Sequence, residues 1–347
     1  MSEKIGVIGA GAWGTTLANL LAKKGIQVAL WVYEEDLART MDEERENKTY
    51  LPGVPLSENL GPASSLSRVC EGCETFLVVT PSHVTRQVAE ALRREVPENS
   101  LIISATKGIE NETLMMMSEV LPQVLTHIPG ENFAYLSGPS FAMEVSRELP
   151  TAVAVASRAR DAAERVQALF TTPYFRVYTT PDVVGVELGG AVKNVMAIAA
   201  GISDGLGFGH DTRAALITRG LSEMSRLGRA MGAAPATFMG LAGLGDLVLT
   251  CTGDLSRNRT VGLQLGQGKT LDEILSNRKT VAEGVKTTRS VFDLSRKHGV
   301  EMPITEQVYA ILYKGISPRN AVRELMSRDP REEPETWELS DGMGWSP

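Results

Sequence analysis

Residues 181–201, PDVVGVELGGAVKNVMAIAAG, mark the point where alternating strand and helix patterns give way to helical patterns alone. The stretch predicts a helix with Thr180 as its N-cap and Pro181 at its first position. One i, i+4 row of that helix contains Gly185, Gly189, Lys193, Ala197 and Gly201. Each glycine inside a helix costs about 1 kcal/mol relative to alanine, so this row indicates close approach by another segment.

Lys193 is the one charged residue on this row, and we therefore expect its amine to lie in a crevice. The alternative is a solvated surface lysine, which is the usual environment of this residue. A lysine withdrawn from water has a perturbed pKa, which makes it a candidate for a functional site.

Composition limits the class of protein. The chain has 347 residues with 43% hydrophobic content, enough for a sizeable core and, from its length, for two domains. Its net charge of -7 argues against binding nucleic acid or an anionic membrane through the overall electrostatic field. The first residues, MSEKIGVIGAG, have the pattern of a strand and not of a signal peptide, and no apolar stretch approaches the ~18 residues of a membrane span. These features predict a soluble cytoplasmic protein with no stable membrane insertion.

The cysteines and histidines do not have the spacing of a zinc site. Cys70 and Cys73 form a single CxxC pair, Cys251 is remote, and the four histidines are scattered. We therefore predict no metal and interpret Cys70 and Cys73 as reduced thiols without a redox role.

The first half carries the pattern of a dinucleotide-binding fold. The β-branched run KIGVIG at 4–9 leads into the glycine turn GAGAWG at 9–14 and then into a leucine-containing helix pattern. Gly9 allows the tight turn, Gly11 lets a pyrophosphate touch the backbone, and Gly14 lets the helix pack on the strand. This order of elements predicts an NADH/NAD or NADPH/NADP site. A βα turn without a ligand and a methyl-donor cofactor are the alternatives.

The end of the second strand, QVALWV at 27–32, bears on the choice between the two cofactors. An acidic residue there accepts a hydrogen bond from the ribose 2′-hydroxyl, whereas a basic one accommodates a 2′-phosphate. Tyr33 holds the discriminating position and is neither acidic nor basic. Glu34 falls at the right distance along the chain, but it can equally begin the next helix. The sequence therefore leaves NAD and NADP as alternatives.

Three further strand and helix units begin at TFLVVT (75–80), LIISAT (101–106) and FAYLSG (133–138), and TAVAVAS (151–157) and FRVYTT (175–180) add two strands. This alternation predicts a mainly parallel sheet covered on both faces. Ligands of such sheets bind at the carboxyl ends of the strands, which singles out the turns at 81–83, 107–108 and 138–142. At the first turn, Ser82 as a helix cap and His83 as a surface residue are the alternatives. Lys107 leaves a buried strand where the cofactor should lie.

Helical patterns dominate the second half. They cover 212–231, with Asp211 as cap, and 257–266, 271–277, 287–298, 304–313 and 318–327. Between them, residues 241–260 form a connecting segment that combines glycines with polar groups.

A candidate anion site lies at the end of that segment. Ser256 can cap a helix that starts at Arg257, and the helix amides, the guanidinium of Arg257 and the amide of Asn258 suit a phosphate or a carboxylate. The alternative is an ordinary serine cap beside exposed arginines. Asp246 stands in an apolar setting, so it is interpreted either as a residue with a specific partner or as a turn cap. Thr250 is a weaker candidate for the same site.

These motifs together resemble bacterial NAD(P)-dependent glycerol-3-phosphate dehydrogenase. The matching stretches are GAGAWGT (9–15), VVTPSHV (78–84), SATKGIE (104–110), SGPSFA (137–142), GVELGGAVKNV (185–195), GLGFGHDTRAALITRGLSEM (205–224), GLAGLGDLVLTCT (240–252), SRNR (256–259) and VAEG (281–284). They run in the family's order over about residues 4–325.

The resemblance implies roles for particular residues. It implies that Lys193 is the catalytic proton donor and acceptor, with Lys107 and Asp246 beside it in the catalytic centre. It implies that the cofactor contacts the glycine turn and, beyond it, Ala12, Trp13, Tyr33, Lys107, Ala142, Arg257, Val281 and Glu283. It implies that the substrate contacts Lys107, Gly138, Ser140, Lys193, Asp246, Ser256, Arg257 and Asn258. Tyr33 departs from the histidine or arginine of many relatives.

The predicted architecture is a Rossmann-type α/β domain (1–180), an all-α substrate-binding and catalytic domain (181–330) and a tail (331–347) that contains Trp337 and Trp345. The resemblance implies reversible reduction of dihydroxyacetone phosphate to sn-glycerol 3-phosphate, which supplies phospholipid synthesis, by a homodimer. A two-domain hydroxyacid or nucleotide-sugar dehydrogenase and a nucleotide-binding sensor without activity are the competing hypotheses.

Overall fold

The first part of the chain forms one eight-stranded sheet. The structure, a computed structural model, describes residues 4–276 and 283–330. The strands are β1 (Lys4–Ile8), β2 (Gln27–Trp31), β3 (Leu60–Ala63), β4 (Thr75–Val78), β5 (Leu101–Ser104), β6 (Phe133–Ser137), β7 (Thr151–Ala156) and β8 (Phe175–Thr180). Their order across the sheet is β3-β2-β1-β4-β5-β6-β7-β8, and every neighbouring pair is parallel except β6 and β7. The predicted mainly parallel sheet is confirmed.

Helices connect these strands and cover the sheet. They are α1 (Ala12–Lys23), α2 (Glu35–Glu44), α3 (Leu66–Cys70), α4 (Thr85–Leu92), α5 (Met117–Val124), α6 (Ala142–Ser146) and α7 (Arg160–Phe170). Strands β4, β5 and β6 are buried throughout, which accounts for their unbroken apolar runs. Their carboxyl ends, with that of β1, form the edge at which a ligand can bind.

The second part is helical in the described residues. Its α-helices are α8 (Val183–Gly205), α9 (His210–Ala230), α10 (Pro235–Phe238), α11 (Asp246–Thr252), α12 (Arg257–Gly266), α13 (Leu271–Ser276), α14 (Glu283–Lys297), α15 (Pro303–Lys314) and α16 (Pro318–Met326), and one π-helical turn covers Leu241–Gly245. The fold class expected from the sequence, a Rossmann-type sheet followed by helices, is confirmed.

Helix α8 is the centre of the helical part. It packs against α9, α11, α12, α14 and α15, and it also reaches β6. The glycine row allows these approaches: a Cβ on Gly189 would lie 2.3 Å from the carbonyl oxygen of Ala242, and one on Gly201 would lie 2.0 Å from that of Arg259. The inference of close approach from the glycine row is confirmed.

The structure corrects several predicted boundaries. Helix α8 begins at Val183 with Asp182 as N-cap, not at Pro181 after Thr180, because the Asp182 carboxylate accepts the Gly185 N–H at 2.9 Å while Thr180 ends β8. Helix α9 begins at His210 after Gly209, one position before the predicted cap.

Two elements were missed by the sequence patterns. Residues 241–252, expected as a connecting segment, are helical throughout. Strand β3 has the sequence LGPA, which has neither β-branched residues nor alternation, and it exists because it pairs with β2. The last residue of the predicted 271–277 helix, Val281 and the tail with Trp337 and Trp345 lie outside the described residues.

Two helical stretches in the described chain pass a membrane-span test of length and hydropathy, Val183–Gly205 and Pro235–Thr252. The expectation that no stretch approaches this limit is therefore wrong. The first stretch is α8, whose apolar window is 94% buried inside the protein, and the second is divided among α10, the π-helical turn and α11. Core helices of soluble proteins pass the same test, so the finding is weak evidence for a membrane span.

Candidate active site

The glycine turn after β1 has the shape of a pyrophosphate cradle. Gly9 has φ +114°, and a Cβ on Gly14 would lie 1.9 Å from the Gly9 carbonyl oxygen, so neither position accepts a side chain. Around Gly11, by contrast, no described atom lies within 4 Å of a Cβ position, so the backbone is open to a ligand. Helix α1 starts directly after Gly11 without a side-chain cap, which leaves its first amides for an anion. These features fit a dinucleotide.

Three predicted cofactor residues surround this turn. Ala12 is the first residue of α1, and Trp13 follows it with its indole packed against Phe175 at a ring distance of 6.5 Å. Because the indole is directed into the core, the contribution of Trp13 to a ligand would come from its backbone amide. Thr16 of α1 donates a hydrogen bond to the Ala142 carbonyl at 3.2 Å, which places the start of α6 beside α1.

Tyr33 and Glu34 lie at the exit of β2. Tyr33 is 80% exposed and meets Trp31 edge to face at 6.0 Å. Glu34 is the N-cap residue of α2, and its Oε1 accepts a hydrogen bond from the Tyr50 hydroxyl at 2.9 Å. Glu34 therefore precedes the helix, as one interpretation of the sequence required, and its carboxylate lies at the exit of β2, one residue after Tyr33.

The centre of the site is a carboxylate that joins two lysines from different parts of the chain. Lys193 Nζ donates to Asp246 Oδ1 at 2.6 Å and to Thr250 Oγ1 at 2.8 Å. Lys107 Nζ donates to Asp246 Oδ2 at 2.7 Å and to the Gly138 carbonyl at 2.9 Å. An ammonium group has three N–H donors. The described residues account for two on each lysine, so one donor on each remains for a ligand.

Burial and charge set the protonation of this group. Lys193 is 7% exposed and Asp246 is 1% exposed. Burial lowers the pKa of Lys193 to about 8, with the charge of Lys107 acting in the same direction and Asp246 opposing both. Burial alone would raise the pKa of Asp246, but the two lysines outweigh it and the pKa is lowered. The site therefore holds a charged carboxylate beside an amine that can lose its proton near neutral pH.

Each member of this group is positioned by a separate backbone feature. Lys107 follows β5 and Gly138 follows β6, where φ is +144° and a Cβ would lie 2.9 Å from Val153 Cα. Asp246 begins α11 directly after the π-helical turn, which packs against Gly189 of α8. Lys193 lies one helical turn beyond Gly189, so the close packing at the glycine places the two charged groups opposite each other.

The predicted anion site forms the N-terminus of α12. Ser256 is its N-cap, and the hydroxyl accepts the Arg259 N–H at 3.2 Å, as the capping interpretation required. The Asn258 side chain is held at both ends: its Nδ2 donates to Asn194 Oδ1 at 2.9 Å and its Oδ1 accepts the Gly284 N–H at 3.0 Å. The second Asn258 N–H and the first-turn amides other than that of Arg259 remain for an anion, and Arg257 brings a guanidinium to the same helix end.

Glu283 connects the two parts of the chain. Its Oε1 accepts the Ser82 N–H at 3.3 Å. Ser82 does not cap α4, because that helix starts at Thr85 with Val84 as its N-cap residue. Burial raises the pKa of Glu283 to about 7 against the effects of the Ser82 amide and of the nearby Arg257. Glu283 therefore lies between the turn after β4 and the anion site.

The remaining site residues divide into those that the sequence identified and those that it missed. The Ser140 hydroxyl donates to the Gly138 carbonyl at 3.0 Å, beside Lys107. Thr250, the weaker candidate, is a direct partner of Lys193. Asn194 was missed although it orients Asn258, and the only signal for it is its place next to Lys193 in the sequence.

The fold and the site together define the class of protein: a dinucleotide-binding sheet joined to a helical part that presents a buried lysine, as in two-domain NAD(P)-dependent dehydrogenases. Family profiles for the N-terminus and the C-terminus of NAD-dependent glycerol-3-phosphate dehydrogenase match residues 4–163 and 182–323. The chain belongs to the NAD-dependent glycerol-3-phosphate dehydrogenase family.

Similar proteins span the same length. Proteins named glycerol-3-phosphate dehydrogenase (NAD(P)+) from Citrifermentans bemidjiense and Geobacter metallireducens are 59% and 60% identical over 333 residues, which are 96% of this chain and 99% of theirs. The crystal structure of glycerol-3-phosphate dehydrogenase from Coxiella burnetii is 43% identical, with a TM-score of 0.91 over 94% of this chain and 99% of that one.

Proposed function

We propose that this protein catalyses the reversible reduction of dihydroxyacetone phosphate to sn-glycerol 3-phosphate with NADH or NADPH. The observation that carries the proposal is the Lys107–Asp246–Lys193 group at the sheet edge, next to the anion site on α12. The names of its relatives support the same reaction, and the family resemblance implies that its product supplies phospholipid synthesis.

The substrate phosphate binds at the start of α12 in this proposal. The helix amides carry a partial positive charge, and the Arg257 guanidinium adds a full one. Asn258 is fixed by Asn194 and Gly284, so its amide donor is already oriented before a ligand arrives. A phosphate held there leaves the three-carbon chain to extend toward Lys193.

Lys193 supplies the proton of the reaction. When bound, the reduced nicotinamide supplies the hydride that the substrate carbonyl carbon C2 accepts. The third N–H of Lys193 then points at the carbonyl oxygen and passes its proton to that oxygen as negative charge develops there. In the reverse direction the neutral amine takes the proton from the C2 hydroxyl.

Asp246 and Lys107 support this proton transfer. Asp246 and Thr250 fix two N–H directions of Lys193, which aims the third. Lys107 is held between Asp246 and the Gly138 carbonyl, at the edge where cofactor and substrate meet. Its positive charge favours the developing alkoxide and also facilitates deprotonation of Lys193.

One assay separates this proposal from its competitors. Nicotinamide absorbance is followed with dihydroxyacetone phosphate, with unphosphorylated dihydroxyacetone and with 2-oxo acids of similar size. The proposal expects rapid oxidation with the phosphorylated substrate alone. Rapid oxidation with a 2-oxo acid would instead indicate a hydroxyacid dehydrogenase. Tight NADH binding without any oxidation would indicate a sensor.

The proposal includes the organisation of the protein in the cell. Residues 1–180 and 181–330 act as the nucleotide domain and the substrate domain of a cytoplasmic homodimer without stable membrane insertion. Support comes from the family resemblance, from the net charge of -7 and from the change of structure between β8 and α8. Sedimentation equilibrium of the purified full chain tests the dimer, which should have twice the chain mass of 37.4 kDa.

A further inference from the structure

The segment after β2 is strongly acidic at the point where a bound dinucleotide would place its adenosine ribose. Residues 33–50 contain seven acidic and three basic side chains. Each of the three basic side chains already contacts a carboxylate: Arg39 contacts Asp36, Arg45 contacts Asp42, and Lys48 contacts Glu44. Every basic side chain of this segment is therefore already paired with a carboxylate, and none is left unpaired for a 2′-phosphate.

A continuous set of hydrogen bonds fixes Glu34 relative to the glycine turn. The buried Asn47 side chain donates to the Ala10 carbonyl and to Thr15 Oγ1, both at 2.8 Å, which ties its loop to the turn and to α1. Asn47 Oδ1 accepts the Tyr50 N–H at 3.0 Å. The Tyr50 hydroxyl donates to Glu34 Oε1 at 2.9 Å. Since the turn places the pyrophosphate, this path also sets the distance from the pyrophosphate to the Glu34 carboxylate.

We propose that Glu34, held in place by Tyr50, makes the site selective for NADH over NADPH. The inference rests on the proposed function only in taking a nicotinamide dinucleotide as the cofactor. An acidic residue at the end of the second strand accepts a hydrogen bond from the ribose 2′-hydroxyl. Tyr50 engages Oε1, and among the described residues Oε2 has no partner that would compete with this hydroxyl.

The same carboxylate acts against NADPH. A 2′-phosphate would bring a negative charge next to the Glu34 carboxylate, which stands at the N-cap of α2. Tyr33, at the position that a basic residue would need to occupy, has a neutral side chain that is 80% exposed. Tyr50 keeps the Glu34 carboxylate from rotating away. A ribose that carries a 2′-phosphate is therefore either repelled by this carboxylate or binds without the hydrogen bond that a 2′-hydroxyl would donate to Glu34.

Direct binding tests the proposal without turnover. The full-length protein is titrated with NADH and with NADPH in the absence of substrate, and Kd is measured from nucleotide fluorescence. A hydrogen bond to a charged group is worth about 1.5–3 kcal/mol, so we expect NADH to bind at least about tenfold more tightly than NADPH. An equal or lower Kd for NADPH would overturn the proposal.

Three variants locate the cause of the preference. Glu34→Gln keeps the shape and removes the charge, so the ratio of the two Kd values should fall by about tenfold. Tyr50→Phe should lower the ratio by a smaller factor, because Glu34 is then free to move. Glu35→Gln, an exposed neighbour on α2, is the matched control and should leave the ratio within about twofold, the scale of a screened surface charge.

The outcomes separate this inference from the proposed reaction. An unchanged ratio in Glu34→Gln would exclude Glu34 as the selective residue, and an unchanged ratio in Tyr50→Phe would remove Tyr50 from its positioning role. If dihydroxyacetone phosphate is not reduced but the binding ratios behave as stated, the reaction proposal fails and the selectivity stands. If reduction proceeds equally well with both cofactors and the Kd values are equal, the selectivity fails and the reaction stands.

Discussion

Asp246→Asn is the perturbation that most sharply separates charge from shape in this site. The side chains are nearly the same size, so the change creates no cavity, but it removes the one carboxylate that pairs with both Lys193 and Lys107. The site loses two ion pairs, whose N–O distances are 2.6 and 2.7 Å, and keeps two buried or half-buried cations. Removing one partner of a buried ion pair costs about 3–5 kcal/mol, and the free energy of unfolding should fall by an amount of this order.

The same change should alter the pH dependence of the reaction. Asp246 raises the pKa of Lys193, which burial has lowered to about 8. Losing a charged hydrogen bond of about 1.5–3 kcal/mol should lower that pKa by a further one to two units. The amine is then largely neutral at pH 7.5, so reduction should slow by about three- to twenty-five-fold and recover in more acidic buffer.

Initial rates of reduction, measured as a function of pH for the wild type and Asp246→Asn, test this reasoning. Urea unfolding of both proteins measures the stability change. Asp254→Asn is the control, because Asp254 is a strongly exposed partner of Arg259 and its loss should alter neither the profile nor the stability by much. A wild-type rate and an unshifted pH profile in Asp246→Asn would refute the assigned role of the carboxylate.

Three further predictions follow from the same geometry. Arg257→Ala should raise KM for dihydroxyacetone phosphate by about ten- to a hundredfold through loss of a charged contact; unchanged steady-state constants would place the phosphate elsewhere. Because the pKa of Lys193 is lowered to about 8, reduction should decline and oxidation should rise as pH passes through that value; parallel profiles in both directions would exclude this amine as the proton donor. Gly189→Ala should destabilise the protein by about 1–3 kcal/mol, since its Cβ would overlap the Ala242 backbone, whereas the exposed Gly130→Ala should be nearly neutral; equal unfolding midpoints would contradict the close packing.

Local patterns were sufficient to predict most of the nucleotide half of the molecule, with β3 as the strand that they missed. The first strand, the glycine turn and α1 are specified by residues that lie close together in the chain. Each glycine of the turn is required for a steric reason that can be recognised from the sequence pattern. The glycine row of α8 was also informative, because only a close backbone contact justifies so many glycines in one helix. Burial of Lys193 followed from that row.

The contacts that complete the site could not be predicted from the sequence. Asp246 is 53 residues from Lys193 and 139 residues from Lys107, and no local pattern states that it joins them. The start of α8 was misplaced for the same reason. Asp182 becomes its cap partly because its carboxylate also accepts the Ala234 N–H and the Thr237 hydroxyl, both of which come from a remote part of the sequence.

Helix formation in residues 241–252 shows how tertiary packing outweighs local propensity. The glycines of LAGLG favour a connecting segment when considered alone. In the fold they are needed for space: a Cβ on Gly243 would lie 2.1 Å from the Phe238 carbonyl oxygen. The resulting π-helical turn places Asp246 at the start of α11, facing α8.

The central claim is that the Lys193 amine delivers the proton to the substrate, and Lys193→Ala tests it most directly. General acid catalysis contributes about 10²–10⁴-fold, so kcat for reduction should fall by this factor while the Kd of NADH stays within about twofold of the wild type. Retention of near-normal kcat by Lys193→Ala, with dihydroxyacetone phosphate as substrate, would contradict the account.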